Sequence, residues 1–353
     1  MSERHSSYLI LHHPPGFPEK SCFMGLVTAL KAEALWYEIT YEKVMQRSWT
    51  LGYLLRRWGD AHYGTTWNAL VPFLDEWRLS RRIDSPSSVI HFLWGEFASP
   101  RWPRLFRKKG GHVVGTFHCS ARRQPKVLGQ FKCWKSFDRI SVVSKTQIPF
   151  IAEQGFDPAQ IPVVRLGVDT RYFVPDPAVQ WPDAGPLRGV LVGKTERDHE
   201  FMAEVLRKLP AGILELSICT AHEGQQVYRG VPNSKVLPFL DDHALVKLYQ
   251  QAELMVMPML DVTANDAMLE AMACGTPVMT NNVGGVPEYL DRASSFIMDG
   301  RNADEWADQL VALARDRQAL HDMRRAVRVW AESFDWQIVA PEWAALHDFG
   351  DEV

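Results

Sequence analysis

Short apolar runs alternate with segments of helical spacing in two successive series, and a proline-rich stretch interrupts them once. SYLILH (7–12), SSVIHFLW (87–94), HVVGTFH (112–118), DRISVVS (138–144) and IPVVRLG (161–167) read as strands of the first series. VPDPAVQWPDAGPLR (174–188), with four prolines and a glycine, reads as a linker. Beyond it, RGVLVG (188–193), ILELSI (213–218), SKVLPF (234–239), ELMVMP (253–258), TPVMT (276–280) and SSFIM (294–298) read as strands of the second series. Helical spacing is seen in FMGLVTALKAEALW (23–36), DHEFMAEVLRKL (198–209), NDAMLEAMA (265–273) and from Ala303 onward. The Trp-rich stretch 43–82 also reads as helices, packed on the first sheet. Apolar strands buried on both faces and separated by helices predict parallel α/β units rather than a sandwich. A ligand is then expected at the carboxyl ends of the strands.

Charge separates the same two regions. Residues 1–180 hold 24 Lys+Arg against 15 Asp+Glu, whereas residues 181–353 hold 15 against 27. The densest block, 101–145, has 12 basic residues and one acid, Asp138. Such a block suits an anionic surface, either membrane or nucleic acid, or else is simply a solvated face. The five cysteines are widely spaced with no C-x-x-C pair, which favours reduced thiols and a cytoplasmic setting. The N-terminus lacks the apolar core of a signal peptide, and no run reaches the roughly 18 apolar residues that span a bilayer.

The segment ELMVMPMLDVTANDAMLEAMACGTPVMTNNVGGVPEYL (253–289) carries the most chemical information. A strand ends near Pro258, a polar loop follows, and a helix opens near Asn265 and stops at Gly275. Backbone N–H groups of Ala264, Asn265 and Asp266 would lie at that helix N-terminus, an anion-binding geometry. Glu270 on this helix reads either as a ligand-binding acid or as an acid favoured by the dipole.

LEAMACGTPVMTNNVGGVPEYL resembles the donor-site signature of the retaining glycosyltransferases of family 4 (glycosyl transferases group 1), which have the GT-B fold. VVRLGVDTRYFVPD (163–176), LVGKTERDH (191–199), LPFLDDHALVKLYQQAELMVMP (237–258) and FDWQIVAPEWAALH (334–347) are similar to further blocks of that family, in its order. The resemblance covers about 115–353 well and 1–114 loosely. It implies two Rossmann-like α/β domains facing each other across a cleft, with a C-terminal helix returning to the first. The implied boundaries are an acceptor-binding domain at 1–173, a linker at 174–188, a nucleotide-sugar-binding domain at 189–333 and the returning helix at 334–353.

The implied reaction moves a sugar from a nucleotide-sugar to a glycan or lipid-linked acceptor, with retention at the anomeric carbon, as in bacterial polysaccharide or glycolipid synthesis. No cofactor is required, a UDP-sugar is slightly favoured over a GDP-sugar, and no metal is expected, since no Asp-x-Asp occurs. The resemblance makes Lys194 and Arg197 the grip on the diphosphate, where they would stabilise leaving-group charge. It places His118 near the donor sugar, and these three are the catalytic candidates. For each, a structural or surface-charge role is the alternative. Gly16, Gly193, Leu237, Phe239, Asp261, Ala264, Asn265, Asp266 and Glu270 complete the implied donor site, with Glu270 on the ribose. His91, Trp94 and Glu96 follow another strand and are candidates for the acceptor side.

Two departures stand out. Val262 occupies the position of the first glutamate in the family's spaced pair, and Pro14-Pro15 precede Gly16 in a loop that is glycine-rich in relatives. Val262 cannot accept a hydrogen bond, which leaves a non-catalytic nucleotide-sugar-binding subunit as one alternative. A GT-B epimerase or phosphorylase is another. No nucleic-acid motif is present, so the basic block 101–145 is assigned to an anionic membrane surface, with the protein peripheral on its inner face.

Overall fold

The computed structural model describes residues 7–11, 23–36, 48, 50, 81, 88–98, 106–107, 111–128, 136–182 and 184–349. Gly16, nearly all of 43–82 and much of the basic block lie outside them. Two compact units are present, one of Met1–Phe17, Leu26–Arg165 and Ala340–Val353, the other of Pro18–Gly25 and Leu166–Val339.

The first unit holds a parallel five-stranded sheet of β1 (Ser7–Leu11), β2 (Glu33–Trp36), β3 (Val89–Phe92), β4 (His112–Phe117) and β5 (Arg139–Val142), in the order β2-β1-β3-β4-β5. Central strand β3 is buried at every position, as a parallel strand covered on both faces requires. Phe92 and Phe117 pack edge-on to Phe137 at 5.7 and 5.8 Å. Helices α1 (Met24–Leu30), α2 (Gln124–Val127) and α3 (Ile148–Glu153) accompany the sheet.

Two readings of the sequence are corrected here. The segment 23–36 is not one helix: α1 stops at Leu30, Lys31 turns at φ 51°, and Glu33–Trp36 pairs in register with β1. Strand pairing overrides the helix preference of Ala and Leu, as tertiary context commonly does. IPVVRLG contributes only an isolated bridge, Val142 to Val163, beyond the edge of the sheet.

The second unit holds β6 (Leu187–Val192), β7 (Leu214–Cys219), β8 (Ser234–Val236), β9 (Leu254–Val256), β10 (Val278–Asn281) and β11 (Ser295–Met298). They form a parallel sheet in the order β11-β10-β9-β6-β7-β8. SKVLPF yields a strand of three residues only, Ser234–Val236, after which Leu237 makes one last bond to Ile218 of β7. Helices α4 (His199–Lys208), α5 (His222–Val227), α6 (Asp242–Gln251), α7 (Asp266–Ala273), α8 (Val286–Tyr289), α9 (Ala303–Arg315) and α10 (Gln318–Glu332) complete the α/β alternation. Phe201 of α4 meets Trp306 of α9 edge-on at 5.4 Å in the core.

The proline-rich stretch is fixed to the second unit by charge. Arg317 donates to the carbonyls of Pro182 and Gly185 and, at 3.2 Å, to the fully buried Glu253. The other Glu253 oxygen accepts from the Arg188 backbone at 2.9 Å.

Helix α11 (Trp336–Ala344) begins in the second unit and continues in the first. Within the second, Trp336 is wedged against Gly25 and Gly167, where a Cβ would overlap its indole. Within the first, Glu342 binds the backbone and guanidinium of Arg165, and Trp343 donates to the Arg165 carbonyl at 2.8 Å. Arg139 then caps the chain beyond α11 by donating to the carbonyls of Ala345, Leu346 and Asp348.

Candidate functional site

Strand order in the second unit reverses between β6 and β9, so the loops after these two strands border the crevice where α/β sheets take ligands. The loops are joined to each other. Residues Arg197 and Met259 form an antiparallel bridge, flanked by Asp198 N–H to the Pro258 carbonyl and Leu260 N–H to the Glu196 carbonyl, both 2.8 Å. The turn that permits this uses two left-handed residues, Gly193 at φ 102° and Glu196 at φ 59°. Asn281, at the end of β10, clamps the second loop by accepting from Met259 N–H at 2.7 Å and donating to its carbonyl at 3.0 Å.

Arg197 lies folded over its own loop. Nε donates to the Val192 carbonyl at 3.0 Å, Nη1 to Thr195 at 2.7 Å and Nη2 to the Asn265 side chain at 3.2 Å. A Cβ at Gly193 would overlap this guanidinium, so glycine is required there for both conformation and space. Burial lowers the Arg197 pKa to about 10, and it stays cationic at neutral pH. Three of its five N–H groups are engaged, which leaves two for an anion. Lys194 is exposed on the same loop, and its ammonium has no ion pair among the described residues.

Two helices of at least eight residues begin here, and their caps differ. Helix α4 is capped by Asp198, which also pairs with Arg301, so a carboxylate already occupies its positive end. Helix α7 is capped by the neutral Asn265, whose Oδ1 accepts from Met268 N–H while receiving Arg197. The second helix start is therefore the better place for a phosphate, although Asp266 in its first turn partly offsets the field.

Glu270 is buried one turn into α7, and its Oε2 accepts from the Tyr249 hydroxyl at 3.0 Å. Burial raises its pKa to about 8, with Asp266 adding to the shift. Asp261 and Val262 are both buried. The Asp261 carboxylate accepts from the Val262 N–H at 2.8 Å, and the Val262 carbonyl accepts from Gly285 at 2.8 Å. Gly284 is left-handed at φ 54° and has no room for a Cβ beside these groups. The valine thus packs inward, and the loop is shaped by backbone contacts. Ala264 is partly buried. At the far edge, Leu237 N–H bonds to Ile218, and Phe239 stands 72% exposed.

In the first unit, His91, Trp94, Glu96 and His118 gather at the carboxyl ends of β3 and β4. The Trp94 ring meets that of His118 at 4.3 Å, tilted by 35°. His118 Nε2–H donates to the Leu93 carbonyl at 2.7 Å, and burial lowers its pKa to about 3, so it is a neutral imidazole. One Glu96 oxygen accepts from the backbone N–H groups of His118 and Cys119, each at 2.9 Å. Burial nevertheless raises the Glu96 pKa to about 7. His91 is fully buried, bonded to Thr116 at 2.7 Å and to His347 at 3.0 Å, and so lies inside the fold and not on a groove.

The structure therefore sets Gly193, Arg197, Asp261, Ala264, Asn265, Asp266 and Glu270 on the loops after β6 and β9 and in α7, with Arg197 joined to Asn265 and Lys194 exposed on the first loop. Tyr249, bonded to Glu270, and Asn281, bonded to Met259, belong with them and escaped the sequence reading. Each acts from a separate strand or helix, so no local spacing marks them.

Residues 188–316 match the family described as Glycosyl transferases group 1. The chain is 30% identical over 220 residues to a D-inositol 3-phosphate glycosyltransferase of Paenarthrobacter aurescens, covering 54% of this chain and 52% of that protein. It is 39% identical over 93 residues to the protein of that name from an Arthrobacter species, covering 26% and 22% respectively. This chain thus spans about half the length of the first of these relatives, and less of the second. Among solved structures, Anabaena HepE in complex with UDP and glucose superposes with TM-score 0.67 at 13% identity, over 97% of this chain and 99% of that one. Sucrose-phosphate synthase from Thermosynechococcus elongatus gives 0.68 at 15% identity, over 98% of each. The chain has the fold of the GT-B glycosyltransferases, and its residues 188–316 match the group 1 glycosyl transferases.

Proposed function

We propose that the protein is a retaining glycosyltransferase that moves a sugar from a nucleotide-sugar, a UDP-sugar in the first instance, to an acceptor hydroxyl. The observation that carries this reading is the Arg197–Asn265 contact at the start of α7, with Lys194 on the same loop, inside the matched segment. Two cations and a helix N-terminus suit a diphosphate leaving group, whose developing charge they would stabilise. Glu270 suits ribose hydroxyls: its carboxyl, protonated in the free protein at neutral pH, keeps acceptor lone pairs and gains capacity for two donors on ionisation. The second unit is then the donor side and the first the acceptor side.

Retention needs no protein nucleophile in this reading. The leaving phosphate takes the acceptor proton on the same face of the sugar, and the protein supplies position and charge. For the acceptor, a glycan or lipid-linked glycan in cell-surface synthesis is the first choice, approached along an anionic membrane. No described helix is long and apolar enough to cross a membrane. A phosphorylated polyol is the second reading, favoured by relatives named for inositol 3-phosphate and by the exposed Arg122, Arg123 and Lys126 after β4.

A thermal-shift panel of UDP, GDP, ADP and their sugars tests the donor site. One nucleotide should stabilise the protein by about 2.7 kcal/mol at a hundredfold excess over its Kd. Slow hydrolysis of the matching sugar nucleotide, abolished by Lys194→Ala and by Glu270→Ala, would establish an enzyme. Stabilisation without turnover would make the chain a binding subunit, and no stabilisation at all would end the donor-site reading.

A further inference from the structure

Tyr249 is fully buried, yet its hydroxyl is polar and must be satisfied. Its partner is Glu270 Oε2, at 3.0 Å, across 21 residues of sequence. The tyrosine is held rigidly from its other end. Its carbonyl accepts from Thr276 Oγ1 at 2.7 Å, which ties the end of α6 to the entry of β10, and its ring lies against Phe173. Glu270 Oε1 makes no hydrogen bond to a described residue. One carboxylate oxygen is thus pinned and the other is left as the acceptor.

We propose that Tyr249 is a positioning residue for nucleotide recognition: by fixing Oε2 it selects the Glu270 rotamer whose Oε1 receives the ribose hydroxyls. This rests on the donor-site reading above. A glutamate without that bond would retain three rotatable side-chain bonds and would lose part of its binding free energy to ordering. The tyrosine pre-organises the carboxylate without touching the ligand itself, and so contributes to ribose discrimination and not to diphosphate capture.

The test compares UDP with 2′,3′-dideoxy-UDP by calorimetry, with GDP and 2′,3′-dideoxy-GDP as a second pair. Tyr249→Phe keeps the ring and removes only the hydroxyl. It should weaken UDP binding about tenfold and leave 2′,3′-dideoxy-UDP nearly unchanged, because the dideoxy ligand has neither hydroxyl to donate to Glu270. In a Glu270→Ala background the same substitution should change neither ligand, because the group it orients is gone. Equal losses for both ligands would mean a packing role and would overturn the proposal, as would no loss for either. If Tyr249→Phe does not fold, Glu270→Ala alone decides: it should bind both ligands with similar affinity, and undiminished preference for UDP overturns the proposal. Absence of binding of any of the four nucleotides to the unaltered protein would instead refute the donor site itself.

Discussion

The side-chain oxygen of Asn265 serves Arg197 and the N-terminus of α7 at once, accepting from Nη2 and from Met268 N–H at 3.2 Å each. Removing it separates two effects that other substitutions would mix. Asn265→Ala should cost about 1 kcal/mol of stability through the lost cap. It should also release the Arg197 guanidinium and weaken nucleoside-diphosphate binding. Asn265→Asp keeps an acceptor for the cap, so its stability should be near normal, while its charge beside the phosphate should weaken binding further. Urea unfolding of the free protein and calorimetry with UDP separate the two effects.

Buried titratable groups predict a stability maximum near pH 6.5. His118, His199 and His347 are lowered by burial to about 3, 4 and 4, and His91 lies well below its usual value. Below pH 6.5 the unfolded chain takes up protons that the folded histidines refuse, so their contribution is full above 6.5 and is lost as pH falls. Glu96 and Glu270 act oppositely, raised to about 7 and 8. They favour the fold at low pH, and that contribution declines from 4.5 upward until those values are passed. Over the acid range the four histidines outnumber the two acids. Thermal unfolding between pH 5 and 9 should show a rise to about 6.5 and a decline beyond.

Glu270→Gln should remove much of the alkaline decline. Each pH unit through which one buried acid is held protonated corresponds to about 1.4 kcal/mol. The substitution should therefore stabilise the ligand-free protein at pH 8 by more than about 2 kcal/mol while weakening nucleotide binding. A melting temperature at pH 8 that does not rise would show that the carboxyl is already relaxed in the folded state.

Arg317 is 5% exposed at the side chain and Glu253 0%, so this pair is desolvated on both sides. Arg317→Met would leave Glu253 with only the Arg188 contacts and free the carbonyls of Pro182 and Gly185. A loss of about 3–5 kcal/mol is expected, as for other broken buried pairs. Chemical denaturation measures it directly. The double substitution with Glu253→Met should recover part of the loss.

The second unit was legible in the sequence to within a residue or two at most strands, because apolar runs of Val, Leu and Met between helices have no other economical burial. The reading failed where pairing at a distance decided the outcome. EALW became β2 through its register with β1, and VVRLG found only one bridging partner. At the candidate site, Lys194, Arg197 and Glu270 are singled out by a local pattern. Tyr249 and Asn281 are not, since each meets its partner across about twenty residues and from a different element. His91 shows the converse: its place after an apolar run suggested a groove, while the β3 register turns it toward Thr116 inside the fold.

The bridge between Arg197 and Met259 couples the lengths of the two loops it joins. An insertion or deletion in 193–198 would slide one partner past the other, breaking the pairing at Pro258 and Leu260 together and carrying Arg197 away from Asn265. The side chain of the neighbouring Val262 can change without that penalty, since this residue is held through its main-chain N–H and carbonyl groups. Loop length is thereby frozen while the residue at 262 stays free, so variation here would arise by substitution and not by indels.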